Sequence, residues 1–112
     1  MDNAVIYVKE YDTIHILCQY LDDDGVGINL DAVQIHSELI SLSGGIKYPF
    51  TVEVTNQETG QFALLLRDSL LRSGTYLVDI LFENLLSGRK VASDTFTLKV
   101  NKSITTGTQD YG

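Results

Sequence analysis

The chain has 112 residues, 44% of them apolar, with a single cysteine and a formal net charge of -7. One domain of this size buries about 65% of its unfolded surface and can hold a core without a metal, and one cysteine excludes an internal disulfide. The acidity excludes a basic nucleic-acid footprint, and no apolar run reaches the ~20 residues of a membrane-spanning helix.

The charge is uneven: residues 1–56 carry nine acids and two bases, and residues 57–112 carry six of each. An acidic front half aids solubility and can steer a basic partner. The opening Met1-Asp2-Asn3 lacks the basic and apolar regions of a secretory signal, so the chain is expected to be made in a cytosol. A lone Cys18 fits that setting.

Residues 4–11 alternate weakly and predict an edge strand. Residues 13–21 predict a second strand, with Ile14, Ile16, Cys18 and Tyr20 on one face and His15, Leu17, Gln19 and Leu21 on the other. Asp22-Asp23-Asp24-Gly25 is a turn, where Gly25 suits a positive φ. Residues 26–31 form an irregular connection with Ile28 and Leu30 inward. Residues 33–39 predict a third strand, broken by Ser43-Gly44-Gly45.

Residues 48–54 predict a fourth strand with Phe50, Val52 and Val54 inward. Pro49 lacks an N–H and therefore marks a strand start or an edge. Residues 55–60 form a polar turn, and residues 61–66 a fifth strand with Phe62, Leu64 and Leu66 on one face. Residues 67–73 cross over, with one helical turn that Asp68 could cap.

Residues 75–83 form the central strand, with Tyr76, Val78, Ile80 and Phe82 sharing a face. Leu71-x-x-Gly74-x-Tyr76 resembles the tyrosine corner of Greek-key sandwiches, in which the phenol bonds to backbone upstream. Residues 84–89 form a hairpin connection hinged at Gly88, and residues 91–100 the last strand. Residues 101–112 are polar and aperiodic, a tail that is free or ordered on a partner. The expected fold is therefore all-β: an Ig-like Greek-key β-sandwich of about seven strands over residues 1–100, followed by the tail.

No constellation specifies a chemistry. Asp22-Asp23-Asp24-Gly25 fails as an EF-hand, because placing Gly25 at position six puts Tyr20 at position one. A looser oxygen site that adds Asp31 competes with a plain acidic turn. His15 and His36 sit on polar faces, and Cys18 lies on the face opposite His15, too few ligands for zinc. Cys18 reads as a small core residue rather than a nucleophile. There is no G-x-S-x-G elbow and no phosphate loop with a Walker lysine. No catalytic, cofactor-binding or metal-binding residue is expected.

Residues 59–64 (TGQFAL), 71–80 (LRSGTYLVDI) and 91–100 (VASDTFTLKV) resemble small Ig-like domains of tailed-phage structural proteins. Asp12-Thr13, the following strand, the Asp/Gly turn and Ile28-x-Leu30 are similar to the N-terminal domain of phage upper-baseplate proteins. The resemblance implies a non-enzymatic virion protein, acting as an adaptor, decoration or attachment module in a tail, baseplate, fibre or head. It implies other virion structural proteins as partners and multiple copies, as a homo-oligomer or on a symmetric assembly. No nucleic acid, membrane or cofactor is implied. The alternative is a carbohydrate- or ligand-binding sandwich, for which Tyr7, Tyr11, Tyr48 and Tyr111 are the candidate aromatics.

Overall fold

The structure is a computed structural model that describes residues 4–67 and 71–102. The described residues form nine strands and no helix. These are β1 (Val5–Lys9), β2 (Ile14–Gln19), β3 (Val33–Ser41), β4 (Lys47–Pro49), β5 (Thr51–Asn56), β6 (Gln61–Leu66), β7 (Gly74–Asn84), β8 (Lys90–Ala92) and β9 (Phe96–Asn101). One sheet runs β1-β9-β7-β3-β4 with β8 also on β7; the other runs β2-β6-β5. Every pairing is antiparallel except β1 with β9, which is parallel.

β7 organises the larger sheet. It pairs along nine residues with β3, from Tyr76 opposite Ser41 to Asn84 opposite Val33. Its alternate residues Tyr76, Val78, Ile80 and Phe82 are all buried, as the period-two pattern requires. They meet Phe62 and Leu64 of β6, Ile14 of β2, Leu39 of β3 and Leu98 of β9 in one apolar cluster. Ser37 is a polar residue on that buried face, and its hydroxyl donates to Asp79 C=O at 2.7 Å, which removes the penalty of burying it. Tyr20 lies flat on Phe82 with ring centroids 3.8 Å apart, and Phe62 meets Phe82 edge-on.

The expected strand over 48–54 is two strands in two sheets. Lys47–Pro49 pairs with β3, and Thr51–Asn56 pairs with β6. The chain changes sheets at Phe50, whose side chain is buried and whose N–H donates to Ser37 C=O at 2.9 Å. Pro49 stands opposite Glu38 at a non-bonded position of the ladder, so the N–H it lacks is one that would face the open edge. Val54, expected inward, is 47% exposed: it stands at a register shift near the end of an edge strand.

The expected strand over 91–100 is also interrupted. Its two parts pair with the same side of β7, Ala92 opposite Leu81 and Phe96 opposite Val78, so one extra residue lies between them. Ser93 closes the gap. Its N–H donates to Ile80 C=O at 2.8 Å, and its hydroxyl accepts from Ile80 N–H at 2.9 Å. β9 reaches Asn101, one residue past the expected domain boundary. The expected cap Asp68 and most of the tail lie outside the described residues. No helix among the described residues is long and apolar enough to cross a membrane.

Candidate functional site

The Asp22-Asp23-Asp24-Gly25 turn is built by one carboxylate. Asp22 Oδ1 accepts from Asp24 N–H and from Val26 N–H, both at 2.9 Å. Gly25 has φ 81° and donates to Asp22 C=O. This is the local side-chain-to-backbone bonding that makes Asp a turn former. Asp31, the fourth carboxylate of the loose cation reading, accepts from Gln57 Nε2 at 3.3 Å instead. Among the described residues, no group of three or more His, Cys, Asp or Glu side chains is arranged to hold a metal ion.

His15 and His36 are both exposed, and they belong to different sheets. Cys18 is half-buried against the core, and burial pushes its thiol from 9.0 up to about 11. A thiol raised in this way is mostly unreactive at neutral pH, the opposite of what a nucleophile needs. Of the candidate aromatics, Tyr7 is 64% exposed on β1 and Tyr11 43% exposed, whereas Tyr48 is half-buried against the core. Tyr111 lies outside the described residues. No ring contact joins Tyr7, Tyr11 and Tyr48 among the described residues.

The segment before β7 is held from two sides. Tyr76 hydroxyl donates to Arg72 C=O at 2.8 Å, four residues upstream. Burial, then the nearby Tyr48 phenol, raise the Tyr76 pKa; the bond to Arg72 opposes them, and the Glu10 carboxylate adds a further push upward. Glu10 is itself buried, and its Oε2 accepts from Ser73 N–H at 2.8 Å. Glu10 also donates its own N–H to Asn101 C=O. It thus ties the end of β1 to β9 and to the 72–74 turn. Sequence reading missed it, because a glutamate after an edge strand carries no signal that its partner lies 63 residues away.

A cleft of about 500 Å³ opens at one end of the sandwich, between the 21–28 loop and the β7–β8 hairpin. Tyr20 and Phe82 line it together with Asp22, Asp23, Asn84, Ser87 and Arg89. Most of these polar groups already serve their own turns. Asn84 Oδ1 accepts from Leu86 and Ser87 N–H at 2.9 and 3.0 Å, and Ser87 Oγ accepts from Arg89 N–H at 3.2 Å. The Asp23 carboxylate and the Arg89 guanidinium have no polar partner among the described residues. The cleft offers the Asp22 and Asp23 carboxylates, the Arg89 guanidinium and an aromatic pair.

No protein-family model matches the chain, and no curated protein matches it.

Proposed function

We propose that the chain is a non-enzymatic structural module of a tailed-phage virion, an Ig-like Greek-key sandwich that bridges or coats larger assembly components. The observation that carries the Ig reading is the strand order. The sheet β2-β6-β5 faces β1-β9-β7-β3-β4, in the manner of Ig strands B-E-D against G-F-C. The Tyr76 bond to Arg72 C=O falls where a tyrosine corner has its own, near the start of the F-type strand. The phage setting comes from the residues around 59–64, 71–80 and 91–100. The protein-binding role is supported by where polar chemistry is spent: Asp22, Asn84, Ser93 and Glu10 all build turns and ladders.

Contacts would come from exposed apolar residues on loops and edges. Leu85 and Leu86, at the tip of the β7–β8 hairpin, are 59% and 88% exposed. The partners are other virion structural proteins, met in multiple copies. The test is co-sedimentation of the purified protein with intact particles and with isolated tail components. Binding to a particle component supports the reading, and binding to none removes it.

A second reading, a carbohydrate- or ligand-binding module, is favoured by the cleft beneath Asp23 and Arg89. A glycan array would register it, and Arg89→Ala would abolish the signal.

A further inference from the structure

Among the described residues, every margin of the two sheets leaves backbone N–H and C=O groups without a strand partner, and most margins carry a device against pairing. On β1, Lys9 N–H donates to Asp12 Oδ2 at 2.9 Å, and Lys9 C=O accepts from Asp12 N–H at 3.2 Å. β4 is three residues long, starts at Lys47 and ends at Pro49. β8 is three residues long and starts at Lys90. β5 contains Glu53 and shifts register between Val54 and Asn56. Charges, proline, bulges and shortness are the means by which proteins blunt edges.

β2 has none of them. Its sequence, Ile-His-Ile-Leu-Cys-Gln, contains no Asp, Glu, Lys, Arg or Pro. It runs in unbroken register along β6, from Ile14 opposite Leu66 to Gln19 opposite Gln61. Tyr20 continues that register by donating to Gly60 C=O at 2.9 Å. In an antiparallel ladder the bonded pairs alternate, so Ile14, Ile16 and Cys18 spend their backbone groups on β6, and Tyr20 turns the same way, its C=O accepting from Ile28 N–H. His15, Leu17 and Gln19 then turn theirs to the open edge. Their side chains are exposed, Leu17 by 74%.

We infer that β2 is the pairing edge of a homodimer. Two copies meet antiparallel across a two-fold axis at Leu17, and two three-stranded sheets become one of six strands. The segment is self-complementary about that axis, as an isologous interface requires. Leu17 faces Leu17 of the second copy, and His15 faces Gln19 of the second copy. Gln19 Nε2 already donates to Thr59 C=O at 2.9 Å, which leaves its Oε1 to accept from the imidazole. A second copy suits this edge because the strand is uncharged, so no like charges are placed opposite each other. The charge of -7 on each copy acts at longer range, and screening it with salt strengthens the pairing.

This makes specific the multiple copies expected above, and its test is separate from particle binding. Light scattering of the full-length protein alone, over a concentration series, is expected to show a dimer. Leu17→Lys, at an exposed site that circular dichroism will report as folded, weakens it by about tenfold or more by opposing two cations at the axis. In a Cys18→Ala background, Leu17→Cys forms an interchain disulfide, since paired Cα atoms about 5.5 Å apart fall within disulfide range. His15→Cys in the same background does not, because its copies stand roughly 13 Å apart in this register. A protein that stays monomeric at the highest soluble concentration overturns the inference. So does a dimer that Leu17→Lys leaves intact, or one cross-linked through His15→Cys but not Leu17→Cys. A monomer that binds particles overturns the dimer and leaves the virion reading standing.

Discussion

Tyr76 offers the sharpest test of how this sandwich is closed. Tyr76→Phe removes one hydroxyl and leaves the ring in the core. The lost bond is the 2.8 Å donation to Arg72 C=O, in a partly buried setting. A bond of that kind is worth about 1 kcal/mol net, and an acceptor left dry adds to the loss, for a total of about 1–2 kcal/mol. For a domain near this size each kcal/mol lowers the melting midpoint by about 4 °C or slightly more. Glu10→Ala removes the neighbouring tie to Ser73 N–H, a charge-assisted bond worth about 1.5–3 kcal/mol. Both bonds hold adjacent residues of one turn, so the double variant should lose less than the two single losses added, by about 0.5 kcal/mol or more. Urea unfolding of wild type, both singles and the double measures this cycle. A Tyr76→Phe protein as stable as wild type within about 0.3 kcal/mol would refute the latch, and strict additivity would refute the shared turn.

The remaining predictions are simpler. Gly60→Ala destabilises severely, because Gly60 has φ 81° and a Cβ there would stand 2.6 Å from Tyr20 C=O and 2.7 Å from Ile28 C=O; poor soluble yield or an early thermal transition reads it. Asp22→Ala costs about 1–2 kcal/mol through its two turn bonds, Asp23→Asn and Asp24→Asn cost little, and millimolar calcium leaves the melting midpoint of the wild type unchanged. Cys18 reacts with a disulfide reagent at pH 8 on the order of tenfold more slowly than a free thiol, since its pKa is about 11 rather than 9.0. The folded state holds that proton more tightly than the unfolded one. Its stabilising effect is therefore complete below pH 9.0 and is lost as pH climbs toward about 11, a slope that Cys18→Ala removes. Truncation after Lys102 keeps β9 whole, since the strand ends at Asn101, and lowers incorporation into particles without lowering the melting midpoint.

The local pattern carried the strands, and the partners were hidden. Tyr76, Val78, Ile80 and Phe82 alternate in the sequence and are buried together, because alternation is a property of one strand. The turns at Asp22–Gly25 and around Gly88 were legible for the same reason: their bonds close within a few residues. What could not be read was pairing. Residues 48–54 look like one strand whether they keep one partner or change sheets at Phe50. Only the proximity of Ser37 C=O and β6, set by distant parts of the chain, decides it. Residues 91–100 likewise alternate through Ser93, and the extra residue shows only against β7. β6 is buried on both faces, Ala63 and Leu65 as well as Phe62 and Leu64, a continuous apolar run of which only one face was expected inward.

The same distinction bears on function. A catalytic site would gather polar side chains that the backbone does not need, and such gatherings often leave spacing marks in sequence. Here Asp22, Asn84, Ser93 and Glu10 close turns, a bulge and a sheet margin, and the pairing surface proposed above lies in backbone groups that carry no residue signature. Three residues of β2 hold those groups outward, and their identity matters mainly through what is missing beside them: charge, proline and a bulge. An edge of this kind can be recognised only after the other margins are known to be protected. For the pairing proposed above, Asp12 folding back on Lys9 counts for more than any motif in the chain.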